Sequence, residues 1–442
     1  MKISPFIKNT LKLSASNIIL MLLPLIVIPI LSRLYTPVDY ANWGVFSSVL
    51  FIVNSFLCLS YENAIIRTNK RESVSILVIL CISIALIVSL IVGICFTAGQ
   101  QLGFKFFVEF PSVSLLVLTL FLTAIHNTLL CVANNDKRYS LMFFINVTNG
   151  FTQAVIRIML GVFPVISLGL IWGNFIGHFV SAVFLFVFLH GSLRFCQKDI
   201  SYSGIKLVAK EYEKFPRYDA PAKFLEFTVG NIVIIILSHF FAKEEIGCYS
   251  MIMTFLLSPI AVIGSAMGNV YYREISQNRE ADFVKGVTTK VLKITFFLSL
   301  LPILFINLGG DYLLTLFLGS KWEAAGKMAI IMSIFSLPII LSEPLLPAFR
   351  ALDRQEYRLQ LNIVNLVLSI GALVISSIFI NNIYTVLLFY SVVYAMVRFI
   401  FFYIVLKITG VNSVQVIKIY IPVIVIVYLL VVVRVLIEGL II

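Results

Sequence analysis

Charged residues are scarce in this sequence. Asp, Glu, Lys and Arg make up 12% of its 442 residues, against 60% hydrophobic. Soluble domains carry about 25% charged and about 45–50% apolar residues. So little charge cannot cover a soluble protein of this length, which excludes a cytosolic or secreted enzyme. Disorder is excluded by the opposite argument, because disordered chains are poor in Leu, Ile, Val and Phe. Cysteine is sparse too: Cys58, Cys81, Cys95, Cys131, Cys196 and Cys248 form no CxxC pair and no Cys/His ligand spacing. A disulfide framework is therefore excluded, packing is the expected role of the thiols, and no metal site is expected. Catalytic signatures are missing as well. HExxH, GxSxG and the P-loop do not occur, and no hydrophilic domain could host ATP.

What the chain does have is long apolar runs. A helix needs about 20 mostly apolar residues to cross roughly 30 Å of hydrocarbon. Thirteen stretches qualify: 14–34, 43–65, 74–98, 113–133, 141–161, 168–190, 222–241, 248–269, 288–308, 326–347, 359–380, 385–406 and 419–437. Runs such as 74–96 are apolar all round, which excludes the alternating strands of a β-barrel. The first stretch carries Pro24 and Pro29 and is followed by no small-x-small site, so it reads as an uncleaved helix.

The formal net charge is +12, from 33 Lys and Arg against 21 Asp and Glu. Placing the N-terminus inside puts 25 of those 33 in the N-terminal segment and alternate loops. Positive residues concentrate on the cytoplasmic side of membrane proteins. The basic excess is thus a topology signal, the N-terminus is expected to be cytoplasmic, and nucleic acid is not an expected partner.

The inner loop near 190–222 divides the chain. Residues 1–190 form an expected N-lobe of six helices and 222–406 a C-lobe of six. Residues 191–221 make a linker, and 407–442 hold a thirteenth, peripheral span. Lys206, Lys210 and Lys214 recur at helical spacing in the linker, so it reads as an amphipathic helix on anionic headgroups or as a solvated connector. An offset of 206 residues relates the halves: Leu31-Ser32 to Leu237-Ser238, Asn63 to Asn269, and Arg67 to Arg273. Six is even, so the halves are expected as parallel repeats, a transporter layout. The expected fold is an all-α polytopic membrane protein with two parallel six-helix bundles around a central cavity.

Ionisable groups at membrane depth face a cavity or a partner. Glu62, Arg157, Glu226, Glu343 and Arg398 are the candidates. Arg157 and Arg398 lie too deep to reach an interface, so each lines an aqueous cavity or forms an internal ion pair. Glu62 and Glu226 lie near helix ends. Pro24, Pro29, Pro259 and Pro338 lie inside spans and are candidate hinges.

Four segments carry a family likeness. They are Pro29-Ile-Leu-Ser-Arg-Leu-Tyr-Thr-Pro-Val-Asp-Tyr-Ala-Asn-Trp43, Lys214-Phe-Pro-Arg-Tyr-Asp-Ala-Pro221, Ile246-Gly-Cys-Tyr249 with Pro259 beyond it, and Leu316-Phe-Leu-Gly-Ser-Lys-Trp-Glu-Ala-Ala-Gly326. Over residues 1 to about 406 the chain resembles polysaccharide flippases of the Wzx type, in the multidrug/oligosaccharidyl-lipid/polysaccharide exporter superfamily. Ala41, where the first turn usually carries Gly, and the thirteenth span depart from the pattern. The resemblance implies O-antigen-type flipping in the bacterial inner membrane. The partners would be an undecaprenyl-pyrophosphate-linked oligosaccharide, membrane lipids, and the polymerase and glycosyltransferases of that pathway. Arg157 and Arg398 would be cavity cations, since guanidinium binds phosphate bidentately, with Arg33 and Lys223 at the two mouths. Tyr61, Trp172 and Tyr390 would stack on sugars or pack in the core. Glu62, Glu226 or Glu343 would couple H⁺ or Na⁺; no cofactor is implied. The rival readings are a drug or cation antiporter of the same superfamily and a membrane glycan polymerase or ligase.

Overall fold

The computed structural model describes residue 23 and residues 25–68, 70–163, 168–191 and 202–439. Among them the ordered backbone is helical, with no strand. In chain order the helices are α1 (Leu25–Leu34), α2 (Pro37–Asn54), α3 (Tyr61–Arg67), α4 (Arg71–Gln101), α5 (Lys105–Val108), α6 (Val113–Asn135), α7 (Tyr139–Val162), α8 (Gly169–Leu189), α9 (Tyr202–Glu211) and α10 (Ala220–Phe240). There follow α11 (Lys243–Gln277), α12 (Ala281–Phe305), α13 (Asp311–Leu318), α14 (Glu323–Ser342), α15 (Ala348–Ala351), α16 (Gln355–Asn365), α17 (Gly371–Phe379), α18 (Ile383–Ile408) and α19 (Ser413–Ile437). Twelve of the thirteen apolar stretches fall on a described helix or helix pair, and the described part of the first, residue 23 and residues 25–34, is helical; the rest of it, Pro24 included, lies outside the described residues. Nine described helices are long and apolar enough to cross a membrane. This is a multi-pass membrane protein.

The chain divides into two units. One comprises residues up to 35 and 42–235; the other comprises 36–41 and everything from 236. The division falls inside α10, later than the sequence-based boundary. In the first unit α4, α6 and α8 pack round a core that includes Phe46, Leu77, Leu116, Leu120 and Leu185. The outer face of α4 keeps Leu86, Ile87, Leu90, Ile91 and Ile94 exposed, as a lipid-facing helix requires. The linker does form a helix, α9. Its apolar face (Ile205, Val208, Ala209) packs into this core beside α4. That face is covered by protein, whereas the sequence suggested either lipid headgroups or a solvated connector.

The second unit is built round α14. Apolar residues all round a helix call for burial on every side, and from Met328 to Ser342 every α14 residue is buried. Helices α11, α12, α13, α18 and α19 surround it. The thirteenth span, α19, is fastened here: Tyr428 donates to the Ile334 carbonyl at 2.7 Å, and Arg434 meets Asp311 at 2.7 and 2.8 Å.

The repeat shows in the helix starts. The offset of 206 carries Pro37 onto Lys243, the first residues of α2 and α11. Both ends use the same cap. The Thr36 N–H donates to Asp39 at 2.8 Å, and the Ala242 N–H donates to Glu245 at 3.1 Å. A carboxylate at the third helical position satisfies one orphan donor and complements the dipole.

Pro24 lies outside the described residues; α1 contains Pro29, and α11 and α14 run through Pro259 and Pro338 unbroken. The interruptions lie elsewhere. Residues 55–60 break α2 from α3, with Leu59 and Ser60 at φ 51° and 60°. Gly309, at φ 114°, sits in a widened turn between α12 and α13. A similar widened turn spans Leu366–Ile370. Such π-type insertions mark functional sites often.

Candidate functional site

In the first unit the site grows from helix packing. Gly169, Gly173 and Gly177 of α8 recur at i, i+4 and face α7. A Cβ on Gly173 would overlap the Arg157 stem, and one on Gly177 would overlap Gln153. Small residues at this spacing let membrane helices approach closely. The groove they leave seats a polar strip along α7. The Arg157 Nε donates to the Leu170 carbonyl at 3.2 Å, and its Nη2 to Gln153 Oε1 at 3.4 Å. Gln153 in turn donates to Asn149 Oδ1 at 2.9 Å, and Asn174 donates to Gln153 at 3.4 Å. The guanidinium lies over Trp43, 4.5 Å from the ring centroid. Tyr35 anchors the same turn by donating to the Arg157 carbonyl at 2.7 Å. Cation–π contact and the carbonyl and amide acceptors hold the guanidinium in this groove.

In the second unit a cavity of about 450 Å³ lies among α11, α14 and α18 and the turns that follow α14. Gly264, Gly268, Asn269, Glu343, Arg350, Arg358 and Tyr394 help to line it. Glu343 is placed there by the end of α14: Pro344 follows it and converts the next turn to a tighter one. Behind Glu343 sits Arg398, 5% exposed and paired with the Glu343 carboxylate. Arg398 therefore does not line this cavity. A buried guanidinium needs a counter-charge, and Glu343 supplies it, so the ion-pair alternative describes Arg398. The cations on the lining are Arg350 and Arg358, which the sequence reading used only as topology markers. Exposed Arg350 also lies over the Tyr272 ring at 5.6 Å.

The other candidates fall apart from these two places. Lys223 bridges Glu62 at 3.2 Å and Asp219 at 3.5 Å, so its charge is committed to carboxylates. Arg33 is exposed at the end of α1, and Glu226 is exposed on α10. Tyr61 is buried and donates to the Ala209 carbonyl at 3.1 Å. Tyr390 is buried and stacks on Tyr394 at 5.6 Å. Trp172 meets Phe175 edge to face at 5.5 Å. Tyr61 and Tyr390 are core residues; neither offers a ring face to a sugar. Sequence reasoning missed the α8 glycine stripe, whose signal was present as two overlapping GxxxG repeats over 169–177.

Solved structures share this architecture. An inward-facing multidrug resistance MATE family transporter of the MOP superfamily aligns over 88% of this chain and 95% of its own, at TM-score 0.67 and 14% identity. The lipid II flippase MurJ, in an inward closed conformation, aligns over 97% of both chains, at TM-score 0.67 and 13% identity. A MOP superfamily transporter from Pyrococcus furiosus aligns over 91% and 96%, at TM-score 0.57 and 15% identity. At these identities the likeness establishes the fold. No curated protein sequence matches the chain. Residues 30–327, two thirds of the chain, match the family described as polysaccharide biosynthesis protein. Twin helical units, polar residues seated inside apolar bundles, and this match lead to one assignment: the chain belongs to the polysaccharide biosynthesis protein family and carries the MOP superfamily fold.

Proposed function

We propose that this protein is a flippase that moves a polyprenyl-pyrophosphate-linked oligosaccharide from the cytoplasmic to the periplasmic leaflet of the bacterial inner membrane. The observation that carries this reading is the second unit's cavity, where Arg350 and Arg358 line about 450 Å³ inside an apolar bundle. Unpaired polar groups cost several kcal/mol each in hydrocarbon, so a sugar pyrophosphate needs such shelter. Guanidinium keeps its charge at depth and matches phosphate oxygens. The Lys and Arg distribution puts Arg350 and Arg358 on the cytoplasmic side, where a lipid-linked glycan would load. Arg157, held over Trp43 in the first unit, is a second phosphate contact. Glu343 joins the cavity to a buried cation, which makes it the coupling residue for H⁺ or Na⁺. The family favours a glycan over a drug; the fold does not separate them, since the MATE and MurJ structures match equally well.

The test is complementation in cells that lack their glycan flippase. Arg157→Ala and Arg358→Ala, expressed at the parental level, should lose export, and the Arg→Lys variants should recover part of it. Full export by both Ala variants would overturn the site. Dye efflux without restored glycan export would favour the antiporter.

A further inference from the structure

The break between α2 and α3 gathers three side chains that the proposed transport does not use. Cys58 lies in the break, Glu62 in the first turn of α3, and Cys81 ten residues into α4. Their ligand atoms, two thiol sulfurs and a carboxylate oxygen, all lie within 4.8 Å of one another. The two thiols are buried, at 5% and 0% exposure. One Glu62 oxygen accepts from Lys223 at 3.2 Å, while Oε2 is buried with no hydrogen-bond partner. Leu59 and Ser60 hold the break in the left-handed region, which L residues avoid. Backbone held that way needs support from its surroundings and clusters at functional sites.

We infer that Cys58, Glu62 and Cys81 form a site for one divalent, thiolate-preferring metal ion of the zinc type. Tetrahedral coordination at about 2.3 Å from sulfur and about 2.1 Å from oxygen puts ligand atoms roughly 3.5–4 Å apart. Small rotations of the three side chains would close the observed cluster to that spacing. Charge comes close to balance. Two thiolates, Glu62 and Asp219 carry four negative charges, the last of them partly exposed, against three positive ones from the ion and the Lys223 ammonium. Binding displaces two thiol protons to solvent. Lys223 and Thr128, whose hydroxyl lies 3.9 Å from the Cys58 sulfur, would orient the ligands from behind. The ion would staple the α2–α3 break to α4. A plain disulfide accounts for the two sulfurs, and Lys223 for one Glu62 oxygen, but the buried Oε2 is left without a partner.

The experiment uses the full-length, reduced protein in detergent. Cd²⁺ is titrated while the ultraviolet thiolate-to-metal absorbance is followed, with bound metal measured by mass spectrometry. One ion per chain should bind, releasing two protons. Cys58→Ser/Cys81→Ser should abolish the band. Glu62→Gln should weaken binding roughly tenfold or more. Cys95→Ser, a change at an exposed thiol elsewhere on α4, should leave the band unchanged. Size-exclusion elution reports folding, and the wild-type titration needs no variant. No band on folded wild-type protein overturns the site. So does a band that survives in Cys58→Ser/Cys81→Ser. A Cys58–Cys81 disulfide in protein isolated without reductant, with no metal uptake after reduction, overturns it in favour of a redox pair.

Discussion

The Glu343–Arg398 pair is asymmetric, and the asymmetry sets a measurable sign. Glu343→Ala leaves a guanidinium that is 5% exposed and whose Nε already lacks a hydrogen-bond partner. Breaking a buried pair from one side costs about 3–5 kcal/mol. The Glu343 side chain is 40% exposed, so water screens the pair, and the lower end, about 3 kcal/mol, applies. The opposite change behaves differently. Arg398→Met removes the buried charge and keeps most of the volume, while Glu343 turns into the cavity. Replacing a buried ion by an apolar residue is often near neutral, so about 0–1 kcal/mol is expected. Glu343→Ala with Arg398→Met should lie close to the parent, giving a coupling of about 2 kcal/mol or more in the cycle. The assay is reversible SDS unfolding of the full-length protein in mixed micelles, followed by circular dichroism. The reasoning fails if Arg398→Met destabilises as much as Glu343→Ala, or if Glu343→Ala unfolds at the parental midpoint.

Gly173→Leu fills the space of the Arg157 stem; it should cost about 1–3 kcal/mol by overpacking and lose glycan export, while an exposed change on the same helix, Phe186→Leu, should do neither. Gly247→Val places a side chain against the Pro37 backbone; expression-matched complementation should drop sharply, and Gly247→Ala should be intermediate. Asp311→Ala leaves Arg434 only its Glu438 partner at 3.2 Å and should cost about 1.5 kcal/mol, read as earlier protease cleavage ahead of α19; Arg434→Met, which strands the more buried Asp311, should cost at least as much. Asp39→Ala removes the α2 cap and should lower stability by about 1 kcal/mol in the same SDS titration.

The helix plan was legible in the sequence because hydrocarbon thickness fixes the length of an apolar run, and twelve of the thirteen runs, with the described part of the first, fall on helix. Helix breaks were not legible. The prolines at 259 and 338 lie in continuous helices, since neighbouring helices tolerate a lost backbone bond in an apolar medium. The break at 55–60 contains no proline or glycine, and Leu59 and Ser60 take left-handed φ only because tertiary packing holds them. Arg157 was legible as a buried charge, but its seat depends on glycines from the next helix. Arg398 was legible as deep, but its partner lies 55 residues earlier in the chain. Pairing across that separation leaves no local pattern. The linker helix was legible from its lysines, whereas the burial of its apolar face beside α4 depends on a surface that only the fold supplies.

The repeat explains why one unit holds a polar cluster where the other holds space. The offset of 206 that aligns the starts of α2 and α11 also carries Cys58 onto Gly264, Glu62 onto Gly268 and Asn63 onto Asn269. In the first unit these positions lie at a break: Cys58 and Glu62 converge with Cys81, and Asn63 donates to Asp219 at 2.9 Å. In the second unit the helix runs through them unbroken, and Gly264, Gly268 and Asn269 line the cavity. A Cβ at Gly264 would come within 3.2 Å of the Glu343 Cβ. Glycine there clears room beside the carboxylate, and a cysteine at that position would fill it. Gly264→Cys and Gly268→Glu, the residues of the first half placed in the second, should therefore reduce glycan export while leaving α11 helical. Circular dichroism at parental intensity beside lost complementation is the expected pair of results. Full export from both variants would mean that the cavity beside Glu343 is not used in transport.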